Sequence, residues 1–130
     1  MLPPVRVTSL RDKSLAEAFP GVRRGVFFDA SEGSEQVSLL YAEIAPGAAI
    51  PTHRHWAGQG AARHAVEEGF HVLEGTGVVT VGAEERPIEA GSFCVMRAGE
   101  YHTIRNTGAS PLRLVAAFAG TSVEAERKVG

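Results

Sequence analysis

This chain of 130 residues lacks several features that would identify its structural or functional class. It has one cysteine, so no disulfide can form within the chain. Basic residues are not in excess, because 13 Lys and Arg stand against 15 Asp and Glu, a formal net charge of -2. Without a basic surplus there is no electrostatic footprint for a polyanion. We therefore expect neither nucleic acid nor an acidic membrane as a partner.

Long hydrophobic runs are also missing. The N-terminal stretch MLPPVRVTSLRDKS lacks the apolar segment of a secretory signal, and no later stretch reaches the ~20 apolar residues of a membrane span. The sequence therefore predicts a cytoplasmic protein. Its length is that of one compact domain. The single cysteine, Cys94, lies in the apolar run Phe93 to Met96, where we expect a small buried hydrophobic residue.

Short strand-like runs, separated by glycine and proline turns, occupy most of the chain. This pattern is typical of an all-β sandwich or barrel. Gly82-Ala83 is predicted to form a hairpin turn. The predicted strands are residues 22–28, 37–44, 50–55, 68–73, 78–81, 84–88, 92–96, 102–106 and 112–118.

The two ends carry different signals. Ser14 and Glu17 have capping-box spacing, which predicts a short helical turn that Pro20-Gly21 ends. The alanine- and charge-rich stretch from Ser122 to Gly130 predicts a frayed helix or disorder. We expect one domain, with residues 1–36 packing on the barrel as a strand and helical turn, residues 37–120 forming the barrel, and residues 121–130 forming a tail.

Two histidine motifs at the middle of the chain carry its chemistry. In an extended strand, residues two apart project to the same face, so His53 and His55 can present two imidazoles to one point. Glu68 and His102 would complete a pocket of three nitrogens and one carboxylate oxygen. The motifs are Gly47-x5-His53-x-His55, then Glu68-x6-Gly75, then Gly91-x5-Arg97-x-Gly99-x2-His102-x3-Asn106.

These motifs resemble the paired signature of the cupin superfamily, in particular its small single-domain members, over roughly residues 39 to 118. The resemblance implies an all-β jelly-roll barrel, a double-stranded β-helix. It also implies that His53, His55, Glu68 and His102 bind one divalent metal ion. Small cupins commonly pair through sheet faces and N-terminal strands, which implies a homodimer, and Phe27-Phe28 is compatible with this.

The chain departs from the family pattern at three places. Arg97 stands where proline is usual, and Ser92 where aspartate is common. Twelve residues separate His55 from Glu68, where three or four are usual. In an alternative register, His64 supplies the short spacing to Glu68, but Ala62 then replaces the first histidine of the pair. We favour His53 and His55, with the extra residues as an inserted loop.

The proposed donors constrain the metal. Imidazole suits Fe, Ni, Zn and Cu, and the carboxylate oxygen also admits Mn. Four ligands leave two positions open on an ion that prefers six, whereas a tetrahedral Zn ion would be full. We therefore favour Fe, Mn or Ni for a catalytic site, with Zn and Cu as alternatives.

The inserted loop, Trp56 to His64, joins the strand of His55 to the strand of Glu68. Trp56 and His64 are its candidate lid residues, an aromatic wall and a proton shuttle, on a segment made mobile by glycines. The alternative is a surface loop whose tryptophan packs on the rim. By alternation, Phe70 and Val72 share the inward face with Glu68, whereas His71 points away.

Three functions are compatible with these residues. The first is a metal-dependent enzyme on a small organic molecule, with oxygenase-type or lyase- or decarboxylase-type chemistry. The second is a noncatalytic module that binds a small molecule or sugar. The third is a metal-free epimerase or cyclase that uses His102, His64 or a tyrosine. A metal-dependent sugar phosphate isomerase ranks lower, because alternation turns Arg54 and Arg105 away from the interior.

Overall fold

The fold consists of two antiparallel β-sheets that face each other, seen in a computed structural model that describes residues 4–129. Met1 to Pro3 and Gly130 lie outside the described residues. The strands are β1 (Ala16–Phe19), β2 (Val22–Phe28), β3 (Ser38–Ile44), β4 (Ala49–Ala57), β5 (His64–Ala65), β6 (Glu68–Glu74), β7 (Thr76–Val81), β8 (Glu84–Glu89), β9 (Phe93–Met96), β10 (His102–Asn106), β11 (Leu112–Phe118) and β12 (Glu124–Arg127). The short 3-10 helices are η1 (Leu10–Asp12), η2 (Ala30–Glu32) and η3 (Gly60–Ala62).

The strand order brings distant parts of the chain together. The first sheet runs β1-β2-β3-β11-β6-β9, and the second runs β12-β4-β10-β7-β8, with β5 pairing with the end of β4. All nine predicted strands are present, with shifts of one or two residues at their ends. The predicted turn at Gly82-Ala83 joins β7 and β8, which pair from Val81 and Glu84 outward. The all-β prediction is thus confirmed.

The core lies between the sheets and follows the two-residue period of the strands. Phe70 and Val72 on β6 are 4% and 0% exposed, as alternation from Glu68 predicts, and Ile104 on β10 is 1% exposed. Ile44, Leu112 and Leu114 fill the same layer. The interior beside Glu68 and His102 is therefore apolar.

The N-terminal region differs from the prediction in position. A helical turn is present at η1, where the Asp12 carboxylate accepts a hydrogen bond from the Ser9 amide at 2.9 Å. Ala16–Phe19, predicted to be helical, is instead strand β1. The reason is the turn at Pro20-Gly21, where Gly21 takes φ 76° and the chain reverses to pair Phe19 with Val22. No helix among residues 4–129 is long and apolar enough to cross a membrane.

The C-terminal prediction of a frayed helix or disorder is wrong for residues 124–127. These residues form β12, which pairs with β4 in the register Arg127 to His53 and Glu124 to Trp56. Strand β4 would otherwise present unpaired backbone groups along this edge, and β12 satisfies them. The C-terminal strand therefore lies directly beside the strand that carries two of the candidate ligands.

Candidate metal centre

Three strands position the four predicted ligands. His53 and His55 are two apart on β4, so both point inward, while Glu68 and His102 are the first residues of β6 and β10. Strands β4 and β10 are neighbours in the second sheet, where His102 pairs with His53. Strand β6 belongs to the first sheet, so Glu68 faces the three histidines from the opposite layer.

One donor atom from each of the four side chains lies within 4.8 Å of the others. The Glu68 Oε1 atom is 2.9 Å from His55 Nε2 and 3.0 Å from His102 Nε2. The ring centroids of His53 and His102 are 4.4 Å apart. All four residues are at least nine-tenths buried, with exposures of 9%, 6%, 6% and 3% in chain order. The structure therefore brings together the four residues that the motifs predict.

Backbone carbonyls orient two of the imidazoles. His53 Nδ1 lies 2.6 Å from the Pro51 carbonyl oxygen, and His102 Nδ1 lies 3.1 Å from that of Glu100. A carbonyl can only accept, so in the neutral ring of His53 it holds the hydrogen on Nδ1 and leaves the lone pair of Nε2 free to bind a metal ion. Histidine ligands of metals are commonly fixed in this way.

His55 supplies the strongest sign that the site is incomplete without a ligand. Its Nε2 atom is buried and has no hydrogen-bond partner among the described residues, because its approach to Glu68 lacks hydrogen-bond geometry. Its ring packs edge-on against Phe118, with centroids 4.6 Å apart. A buried unpartnered nitrogen costs free energy unless it binds something. A metal ion at the centre of the four donors would supply that partner.

The charges of the site favour a cation. Burial alone would raise the pKa of Glu68, but the hydrogen bond with His102 and the proximity of His55 lower it to about 2. Burial, and after it the proximity of His102, lowers the pKa of His53 from 6.5 to about 4. At neutral pH, the site thus holds a buried carboxylate beside a neutral His53. Three imidazoles and one carboxylate are a donor set that suits a divalent transition metal.

His64, the alternative ligand, does not join this cluster. It lies on β5, is exposed, and its Nδ1 atom is 2.9 Å from the Ala62 carbonyl oxygen. Strand β5 folds back on the end of β4, with His64 opposite Ala57. The extra residues therefore extend β4 into a hairpin, and the distance of His64 from the site follows from that extension.

Trp56, the other lid candidate, lies on the outer face of the second sheet. Strand β4 continues to Ala57, so Trp56 points away from the neighbouring His55. Its indole nitrogen donates a hydrogen bond to Glu126 at 3.0 Å, and the Arg63 guanidinium lies 4.2 Å from its ring. The alternation of inward and outward residues along β4, continued beyond His55, could have predicted that Trp56 lies on the outer face.

A cavity of about 390 Å³ reaches His55 from one side of the barrel. Its walls come partly from elements that the sequence did not predict, since Ala16 and Ala18 lie on β1 and Ala125 on β12. The cavity is also lined by Val26 and Leu40 of the first sheet, by Phe118 beside His55, and by Arg24 on β2. Of the four candidate ligands, only His55 lines this cavity.

The remaining predicted residues take mostly structural places. Asn106 is 1% exposed, and its amide donates to the carbonyl oxygens of Ile44 and Ser110 at 2.8 Å each. His71 lies on the face of β6 opposite Glu68, stacked on Phe93 with centroids 4.1 Å apart. Cys94 is half-buried, and burial raises the pKa of its thiol.

Comparisons with known proteins agree with the observed fold. A family model described as the cupin domain matches residues 40–118. Over 89 residues, 67% of each chain, the sequence is 31% identical to a Thermotoga maritima protein named oxalate-binding protein. The polyketide cyclase RemF from Streptomyces resistomycificus superposes with a TM-score of 0.75 at 16% identity, covering 97% of this chain and 87% of that one. KdgF from Halomonas sp. gives 0.70 at 14% identity, covering 88% and 93%. At these identities, the two structures show a shared fold.

Proposed function

Since the chain belongs to the cupin family, we propose that it is a metal-dependent enzyme acting on a small organic molecule. The observation that carries this proposal is the buried His53, His55, Glu68 and His102 cluster. These four residues would hold one divalent ion, with Fe, Mn or Ni favoured over Zn and Cu. Bound there, the ion would supply Lewis acidity and a template for oxygenase-type or lyase- or decarboxylase-type chemistry.

The cavity beside His55 supports a small substrate. Its volume of about 390 Å³ lies near the lower end of the range for small-molecule sites. Val26, Leu40 and Phe118 offer an apolar wall, while Arg24 is a cation that could pair with a carboxylate. Arg24 would attract a compact organic acid, and Asp29, which also lines the cavity, would oppose a second negative charge. An acid bound there would lie beside His55.

A second candidate is a noncatalytic binding protein for a small organic acid. The observation in its favour is the name of the relative that is 31% identical, an oxalate-binding protein. The two candidates share the metal and the cavity. They differ in whether a bound acid is released unchanged or as product.

The first experiment is the metal content of protein purified without added metal or chelator. His53→Ala and His102→Ala should each reduce the metal-to-protein ratio sharply, because each removes a direct bond to the ion. His71→Ala is the matched control, since it removes an imidazole from the outer face of β6. Full occupancy in both ligand variants would exclude the proposed site.

The second experiment separates the enzyme from the binding protein. Small mono- and dicarboxylic acids, oxalate among them, are incubated with metal-loaded protein under air, and the solution is analysed for product and oxygen consumption. Saturable product formation that is lost in His102→Ala supports the enzyme. An acid that binds without being consumed supports the binding protein instead.

We also propose that two copies associate through the outer face of the first sheet. This face exposes apolar side chains, with Leu73 43%, Phe93 81% and Val95 65% exposed, and Val115 38%. Apolar patches of this kind mark association surfaces. Sedimentation of the wild type and of Val115→Glu tests this, because a charge at the centre of the sheet should shift a dimer to monomer.

A further inference from the structure

A second carboxylate, Glu126 on β12, collects hydrogen bonds on the outer face of the second sheet. It accepts from Arg54 Nη2 at 3.0 Å, from Trp56 Nε1 at 3.0 Å and from the Tyr101 hydroxyl at 2.8 Å. The Arg54 guanidinium also lies 4.5 Å from the Tyr101 ring and 5.1 Å from the Trp56 ring. One carboxylate thus joins three strands or strand ends through side chains.

The partners of Glu126 are the chain neighbours of three candidate metal ligands. Arg54 lies between His53 and His55, Trp56 follows His55, and Tyr101 precedes His102. Alternate residues of a strand point to opposite faces, so a backbone shift that moves an outer side chain along the strand also moves the adjacent inner imidazole. The hydrogen bonds from these three residues to Glu126 therefore constrain the distance between the imidazoles on β4 and the imidazole on β10.

The backbone pairing alone does not fix this spacing. The ladder between β4 and β10 is irregular at the ligands, because His102 pairs with His53 whereas Ile104 pairs with Ile50. Two steps along β10 correspond to three along β4, which is the count of a β-bulge. Bulges disrupt the ladder locally, so side-chain contacts carry more of the geometry there.

We propose that Glu126 is a positioning residue for the metal centre, holding β4 and the start of β10 at the separation that the imidazoles need. This inference rests on the proposed metal site. Metal ligands must be placed within tenths of an ångström, and residues that orient them without touching the ion affect affinity. The Glu126 side chain is 37% exposed, so its charge pairs add little to folding. Its effect should therefore appear in the metal site before it appears in stability.

The test compares Glu126→Gln with Glu124→Gln in the full-length protein. Both changes remove one negative charge from the same face of β12, but Glu124 makes no side-chain hydrogen bond among the described residues. The metal-free proteins are titrated with Co²⁺, which reports its ligand geometry in its visible absorption. We expect Glu126→Gln to raise the Co²⁺ dissociation constant about tenfold, the lower end of the range for residues that support metal ligands. Its absorption bands should also change, while Glu124→Gln matches the wild type.

A second variant tests whether the effect on the metal site comes from the hydrogen bonds to Glu126. Tyr101→Phe removes one hydroxyl from the network and should weaken Co²⁺ binding in the same direction. In the double variant, the two losses of Co²⁺ affinity should be less than additive, because both substitutions weaken the same hydrogen bond between Tyr101 and Glu126. Wild-type affinity and spectrum in Glu126→Gln would overturn the positioning role and leave the metal site intact. A wild-type protein that takes up no Co²⁺ would overturn the proposed function and this inference together.

Discussion

The two faces of β4 each present a cluster around one carboxylate, and the clusters differ in how their charge is balanced. Inside the barrel, Glu68 faces His53, His55 and His102 and is 6% exposed. Outside, Glu126 is paired with Arg54, a permanent cation, and is partly exposed to water. The outer cluster is complete as it stands. The inner one is a buried anion among imidazoles, with one nitrogen left unpartnered among the residues that the structure describes.

This difference in charge balance explains why the inner cluster needs a metal ion and the outer cluster does not. A buried charge is costly unless a partner of opposite sign accompanies it. The lowered pKa of His53 makes that imidazole a poor source of positive charge at neutral pH. A divalent cation would both neutralise Glu68 and satisfy His55. Arg54 already does the first of these tasks for Glu126.

The largest effect should follow removal of the inner carboxylate. Glu68→Gln keeps the size of the side chain but removes its charge, so the site loses both a ligand and its attraction for a cation. We expect metal binding to be lost at concentrations that saturate the wild type, measured by elemental analysis after dialysis. Retention of stoichiometric metal would show that three imidazoles suffice to bind the ion. The charge of Glu68 would then not explain why the inner cluster, unlike that of Glu126, binds a metal.

Metal should also stabilise the folded chain, because the inner cluster exists only in the native state. At free metal about 100 times the dissociation constant, linkage adds about 2.7 kcal/mol to the free energy of unfolding. A chelator should therefore lower the melting temperature of the loaded wild type, followed by circular dichroism. His102→Ala should not respond. Identical curves with and without chelator, for protein shown to carry metal, would contradict the prediction.

The metal-free protein should lose stability as the pH falls. The folded-state pKa of His53 is about 4, below the ordinary value of 6.5, so unfolding takes up a proton between these values. The stability from this group is full above about 6.5 and is lost as the pH falls towards 4. Glu68, with a pKa of about 2 against 4.5, acts in the same direction at lower pH.

Urea unfolding of the metal-free wild type and of His53→Gln, at about pH 7.5 and about pH 5, measures this effect. The wild type should lose more of its unfolding free energy between the two pH values than the variant does. An equal loss in both proteins would assign the pH dependence to other groups.

The smallest effect should come from His64. Because it is exposed on β5 and directed at the Ala62 carbonyl, His64→Ala should leave the metal-to-protein ratio unchanged. Loss of metal in this variant, with retention in His53→Ala, would instead restore the alternative register. The same metal analysis distinguishes the two outcomes.

The inner cluster could be predicted from the sequence because its signals are local. His53 and His55 are two apart on one strand, and the glycine spacings of Glu68 and His102 belong to the same motifs. Alternation along β6 likewise predicts the faces on which Phe70, Val72 and His71 lie. The shared face of His53 and His55 and the faces of β6 follow from the period of a strand, whereas Glu68 and His102 were added to the ligand set by the resemblance to cupins.

The outer cluster could not be predicted, because its partners are distant along the chain. Glu126 lies 72 residues from Arg54 and 70 from Trp56. Residues 124–127 have a composition that suits a helix, and only pairing with β4 makes them a strand. The spacing to Glu68 predicts a loop at Trp56, whereas β4 continues through it. Tertiary pairing overrides local propensity at both places.

The pairing of β12 with β4 also has a kinetic consequence. Strand β4 is synthesised about seventy residues before β12, so the edge of β4 that pairs with β12 stays unpaired until β12 has been made. During that interval, its open backbone groups can pair with another chain. Folding yield should therefore depend on how quickly residues 124–127 dock.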